Sequence, residues 1–192
     1  TSGKTSIWQH TYLFLGVLGI FFYVGAEVIA GDSIIAYGTS MGISEDEAKF
    51  FTSYTLAGML AGYLLGIILT PKFMSQETML KICAVLGLVL TACVMFTTGR
   101  TSIYCLAALG IANAIMWPAI WPMSLKGLGR FTKTGSALLI MGIIGGALIP
   151  PLFGWMIDSM GSQASAYVIL IPCYLYILYF AVSGHKAGYK GK

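Results

Sequence analysis

The stretch Tyr12–Ala36, YLFLGVLGIFFYVGAEVIAGDSIIA, decides the fold. It is apolar along nearly its whole length and is interrupted by acids only at Glu27 and Asp32. About 20 such residues cross a bilayer as a helix. Five more stretches of the same kind follow, at Phe50–Thr70, Met79–Thr97, Ile103–Leu125, Gly135–Ile157 and Ala166–Val182. None shows the strict two-residue alternation of a membrane barrel strand. The chain therefore reads as an all-α membrane protein of six transmembrane helices. They form one bundle over residues 1–192, with 1–10 and 184–192 as cytoplasmic tails.

Composition points the same way. Of 192 residues 57% are hydrophobic and 9% charged, and the mean hydropathy is +0.83. A soluble domain carries about 25% charged residues. A soluble enzyme, a nucleic-acid binder and a disordered chain are all excluded. The net charge of +4 is explained by where the cations fall. Lys4, Lys72, Lys81, Lys126, Arg130, Lys133, Lys186, Lys190 and Lys192 lie on the side of the termini, against Lys49 and Arg100 on the other. Basic loops stay cytoplasmic, so both termini are expected in the cytoplasm, in a bacterial inner membrane. The opposite side carries Glu45, Asp46, Glu47 and Asp158.

The first apolar run is too long for a signal peptide and no small-residue cleavage pattern follows it. The lack of an initiator Met suggests a processed chain or a fragment. Cys83, Cys93, Cys105 and Cys173 all fall inside spans without a CxxC pair, and read as small apolar fillers. Two triplets of three spans have opposite orientation, so two inverted three-helix repeats are expected, a recurring transporter design.

Gly58, Gly62 and Gly66 recur at four-residue spacing and clear one face of the second span for a neighbouring backbone. The fifth span has a similar run, Gly142, Gly145 and Gly146, followed by Pro150 and Pro151. Packing is the plain reading; a face on which helices slide, next to proline bends, is the functional one. Pro118 and Pro122 bend the fourth span and Pro172 the sixth.

An acid at the centre of a membrane helix costs about 2.5–3.5 kcal/mol on insertion scales. Glu27 therefore belongs in the bundle interior or a wet cavity, as a functional carboxylate or as packing glue. Asp32, five residues on, is turned about 140° away and is either a cavity residue or a solvated helix end. In the fourth span Asn113, Trp117 and Trp121 recur at i, i+4, i+8, with Asn113 at the depth of Glu27. An amide that donates and accepts, above an indole, suits a sugar; for Trp121 an interfacial aromatic belt competes. Tyr23 lies one turn before Glu27 and shares its cavity, with Tyr54 a weaker candidate. Tyr37, Tyr63, Tyr174, Tyr176 and Tyr179 are expected toward lipid or the interface. His10 and His185 lie outside the membrane ends and no Walker loop is present, which leaves no catalytic pair, resident metal or ATP-driven pump. The protein is not an enzyme on this reading and needs no cofactor.

Phe22-Tyr23-Val24-Gly25-Ala26-Glu27, with Gly31-Asp32-Ser33 and Tyr37, resembles the seventh helix of the fucose permease family of the major facilitator superfamily. Trp117-Pro118-Ala119-Ile120, Leu125-Lys126-Gly127-Leu128-Gly129, Thr132-Lys133-Thr134-Gly135-Ser136 and Met141-Gly142-Ile143-Ile144-Gly145-Gly146 resemble its tenth helix, the following loop and its eleventh helix. The Gly-Ala-Glu is more like the glucose/galactose branch. The resemblance implies the C-terminal half of a twelve-helix fold and proton-coupled hexose transport by alternating access. Its implied partners are a hexose, membrane lipids, and a missing N-terminal half or a second copy, with no nucleic acid. The family's essential membrane carboxylates lie in the other half. Gly66-Ile67-Ile68-Leu69-Thr70-Pro71-Lys72 departs from the superfamily loop motif, with Pro71 where an Asp is expected. A truncated, non-transporting membrane module and a subunit of an oligomeric channel are the alternatives.

Overall fold

The computed structural model describes residues 4–70 and 72–189. Pro71, Lys190 and Lys192, used above for the loop motif and the charge bias, lie outside the described residues. Among the described residues six helices are long and apolar enough to cross a membrane: Thr11–Asp32, Glu45–Leu69, Gln76–Phe96, Gly99–Leu125, Gly129–Met160 and Gln163–Val182. They are taken below as the first to sixth helices. The protein is an integral membrane protein.

Several helices are interrupted, and prolines account for two of the breaks. Pro118 has no N–H for the carbonyl four residues earlier, and the fourth helix breaks at Ile115 between Gly99–Ala114 and Met116–Leu125. Pro172 likewise deprives Val168, where the sixth helix tightens to a 3-10 turn over Tyr167–Ile169. The fifth helix differs from expectation. It runs unbroken through Pro150 and Pro151, and its irregular turn is Gly142–Ile144, where small residues press against the first helix. The first helix stays helical through Gly31 to Asp32, and a short helix, Ile34–Ser40, continues it.

The pairing of helices has the symmetry of a repeat. The second packs on the fourth as the fifth packs on the first, the third touches the fourth as the sixth touches the first, and the first meets the fourth and the third the sixth. Exchanging the two triplets leaves this pattern unchanged, as an inverted repeat requires. The close approaches obey it too. A Cβ on Gly62 would lie 2.8 Å from the Ile111 carbonyl oxygen of the fourth helix, and one on Gly142 2.8 Å from the Val17 carbonyl oxygen of the first. The remaining glycines of the two runs sit in the same seams: Gly58 and Gly66 against Ala107, Ile111 and Ile115, Gly145 and Gly146 against Phe21, Val24 and Val28.

The second and fifth helices are also the least covered, with 11% and 28% of an apolar 18-residue stretch buried against 67% for the fourth. Leu60, Leu64, Ile67, Ile140, Ile144 and Leu148 stand exposed on them.

The first and last described segments are packed against the bundle. The Tyr12 amide donates to the Ala187 carbonyl at 2.9 Å, the Tyr12 hydroxyl donates to the Lys126 carbonyl, and Arg130 donates to the Thr5 carbonyl at 3.0 Å. His10 lies edge-on to Phe131 and Tyr12 to Tyr189. At the other end Arg100 pairs with Glu47 at 2.6 Å and Lys49 with Asp46 at 3.0 Å. Nearby, the buried Tyr37 hydroxyl donates to Ser102 Oγ at 2.6 Å, which donates to the Val94 carbonyl at 2.7 Å. Ser102→Ala strands the phenol, so it should lower stability by about 1–3 kcal/mol, read as a reduced melting temperature in detergent. An unchanged melting temperature would show the phenol has found another partner.

Candidate functional site

The site begins on one face of the first helix. Tyr23 and Glu27 are four residues apart and therefore neighbours. Tyr23 is buried, and its hydroxyl faces the half-buried Glu27 carboxyl group. On the second helix the Tyr63 hydroxyl lies within electrostatic reach of the same carboxyl. The fourth helix brings Trp117, whose ring centroid is 6.4 Å from that of Tyr23 and 5.3 Å from Trp121, the two indoles stacked at 22°. It also brings Asn113, which is buried. The sixth helix brings Tyr174, fully buried, whose hydroxyl donates to Asn113 Oδ1 at 2.7 Å.

Glu27, Tyr23, Asn113 and Trp117 are thus brought to one region by two helices, the first and the fourth, and Tyr174 joins them from the sixth. The described residues include no ion pair to Glu27 and no cluster of three His, Cys, Asp or Glu that holds a metal. The arrangement is a carboxylate and an amide among phenols and indoles. Such groups can accept and donate hydrogen bonds and offer flat apolar rings for stacking. From Tyr63 and Ala119 a cleft of ≈ 210 Å³ runs to Thr70 and Gln76, toward the end that holds the termini.

Other candidates lie elsewhere. Asp32 is exposed at the end of the first helix and Gly31 is not unwound, so the two acids do not share a face. Tyr54 is exposed and packs on Phe51 and Tyr104. It is nine residues before Tyr63, about 13 Å along the helix, so the phenol that the second helix contributes is Tyr63.

The tyrosines expected toward lipid are largely turned inward. Tyr37 is bonded to Ser102, Tyr174 to Asn113, and the half-buried Tyr176 donates to the Leu15 carbonyl at 2.6 Å. Tyr63 and Tyr179 are exposed. A phenol gains by reaching an acceptor inside the bundle, which lipid tails do not supply. One signal did mark Tyr174. Leu170, Cys173, Tyr174, Ile177 and Ala181 recur at three- and four-residue spacing, and the small Cys173 and Ala181 identify the packed side.

The chain is 34% identical over 185 residues to the glucose/galactose transporter of Brucella abortus, covering 95% of this chain and 44% of that protein. It is 30% identical over 175 residues to the L-fucose-proton symporter of Haemophilus influenzae, covering 90% and 40%. No family model matches. Among solved structures, the Escherichia coli fucose:proton symporter superposes with a TM-score of 0.87 at 26% identity, over 94% of this chain and 43% of that one. A major facilitator superfamily transporter in the outward conformation superposes with the same TM-score at 24% identity. The chain spans about half the length of the curated relatives it matches. These relatives are transporters, and none is an enzyme. By sequence and by fold the chain is similar, over nearly its whole length, to about half of these glucose/galactose and fucose transporters and of a major facilitator superfamily structure.

Proposed function

We propose that the chain is the C-terminal half of a proton-coupled hexose transporter, for a sugar of glucose, galactose or fucose type, working by alternating access. What supports this reading is that Tyr23 of the first helix, one turn from Glu27, packs against Trp117 of the fourth, while Asn113 of the fourth bonds to Tyr174 of the sixth. Glu27 accepts sugar hydroxyls, Asn113 supplies amide donors, and the Trp117 and Trp121 indoles pack against the apolar face of the ring. The sugar lies between this bundle and an N-terminal six-helix half, or a second copy, docked on the exposed second and fifth helices. The two bundles rock about that site. The glycine seams at Gly58, Gly62, Gly66, Gly145 and Gly146, with Pro150 and Pro151, let the outer helices follow the motion. Both termini face the cytoplasm of a bacterial inner membrane.

The test is uptake of radiolabelled glucose, galactose and fucose into proteoliposomes containing this chain with its N-terminal half. Accumulation of at least one sugar, driven by an inward proton gradient and lost when it is collapsed, is expected. Absence of uptake of all three in either condition would overturn the proposal.

A further inference from the structure

We propose that Cys93 of the third helix and Cys105 of the fourth form a disulfide that staples these two helices at the end of the bundle away from the chain termini. The pairing is independent of the hexose reading. Only the compartment depends on the proposed orientation, which turns this end toward the periplasm, where disulfides form and persist.

No CxxC spacing marks the two cysteines; a helical hairpin brings them together. The third helix ends at Phe96 and the fourth begins at Gly99, so Cys93 lies one turn before the connection and Cys105 within two turns after it. The crossing is close at this level. Ser102 Oγ donates to the Val94 carbonyl at 2.7 Å. A serine hydroxyl stands only two bonds from its Cα, so the two backbones approach here. Cys93 is next to Val94, and Cys105 is one turn on from Ser102. The Cys105 thiol faces the Cys93 thiol and the Thr97 hydroxyl, and Thr97 also bonds to the Cys93 carbonyl. A disulfide needs Cα atoms about 4.4–6.8 Å apart, a spacing that only such a close crossing provides. Cys93 and Cys105 are half-buried, whereas Cys83 and Cys173 are buried. Packing accounts for the two buried thiols; the two that face each other are the ones open to a reagent.

The oxidant is a disulfide, of the class carried by a periplasmic thiol–disulfide oxidoreductase. One protein thiolate attacks a sulfur of that disulfide and opens it to a mixed disulfide; the second protein thiolate then displaces the oxidant. One S–S bond breaks and one forms. The two protein thiols are oxidised, the oxidant is reduced to two thiols, and these take up the two protons. The new bond holds the third helix to the fourth, which carries Asn113 and Trp117.

The test treats membranes holding the full chain with dithiodipyridine, a small membrane-permeant aromatic disulfide, and then denatures, alkylates and maps the peptides. Cys93 should be found joined to Cys105, with no pyridyl group left on either, and the alkylatable thiols should fall from four per chain to two, Cys83 and Cys173. Pyridyl groups retained on both Cys93 and Cys105, both thiols untouched, or a bond from either to Cys83 or Cys173 would overturn the pairing. In Cys93→Ala the pyridyl group on Cys105 should stay, because no second thiol is placed to displace it; its loss to a bond with another cysteine counts against the pairing. Should that variant not fold, the map of the unaltered chain carries the test alone. The compartment is tested separately, in cells that make the complete transporter, quenched with acid and alkylated before any oxidant is added. The same bond is expected there. A bond that forms in treated membranes and is missing from the cells sinks the proposed orientation and leaves the pairing standing; a bond that forms in neither sinks the pairing.

Discussion

Gly145→Val is expected to part the first and fifth helices and to remove most of the folded protein. A Cβ at this position would stand 2.0 Å from the Phe21 carbonyl oxygen and within 2.9 Å of the Phe21 carbonyl and α carbons. All three are backbone atoms, so no rotamer change relieves the clash. The helices must separate along a seam that also holds Gly142. The cost should reach about 3 kcal/mol, the upper part of the usual range for overpacking. Gly154→Ala is the matched control. It lies in the same helix with nothing within 4 Å of an added Cβ and should be neutral. The fraction of each variant that survives graded heating as a monodisperse species in detergent measures this. Equal survival would mean the seam opens readily and is not a close backbone contact.

The second large effect is at Glu27, where function and stability separate. Glu27→Leu removes the acceptor for sugar hydroxyls, and hydrogen bonds to a charged group contribute about 1.5–3 kcal/mol each. Hexose affinity should therefore fall about 100-fold. Stability should barely move. The variant is relieved of the partial desolvation of a half-buried acid, below the about 2.5–3.5 kcal/mol of one at the membrane centre, while the buried Tyr23 hydroxyl loses the group it faces, which costs about 1–3 kcal/mol. These nearly cancel. A carboxyl that serves only to glue helices together predicts the reverse pattern, lowered stability with unaltered binding. Measuring binding by Trp117 fluorescence and stability by thermal melts on one preparation distinguishes the two.

How much of this the sequence disclosed depends on the physical signal each feature leaves. The six crossings are legible because lipid demands about 20 apolar residues in a row, and the glycine runs at Gly58 and Gly142 because close backbones need small residues at four-residue spacing. Glu27 announces itself by its desolvation cost. Which way a tyrosine turns is far less legible. A helix with apolar side chains all round carries no polar face to mark its exterior, so only the small Cys173 and Ala181 distinguish the side of Tyr174 from that of Tyr179. In the structure one is fully buried against Asn113 and the other is exposed. The same ambiguity favoured Tyr54 over Tyr63 on the second helix. Proline marks some irregular turns and misses others. Pro118 and Pro172 each lie just after a break, whereas the turn at Gly142–Ile144 forms where the chain presses on the first helix and the two prolines after it leave the helix intact. Tertiary contact decided that turn.

The central claim is that Glu27 faces a water-filled pocket shared with sugar. Its most direct test is thiol labelling of Glu27→Cys in the complete transporter, with Cys83, Cys93, Cys105 and Cys173 replaced by alanine. A membrane-impermeant, water-soluble reagent should modify the new thiol, and saturating hexose should protect it. Modification by lipid-soluble reagents alone, or at the same rate with and without hexose, would contradict the account.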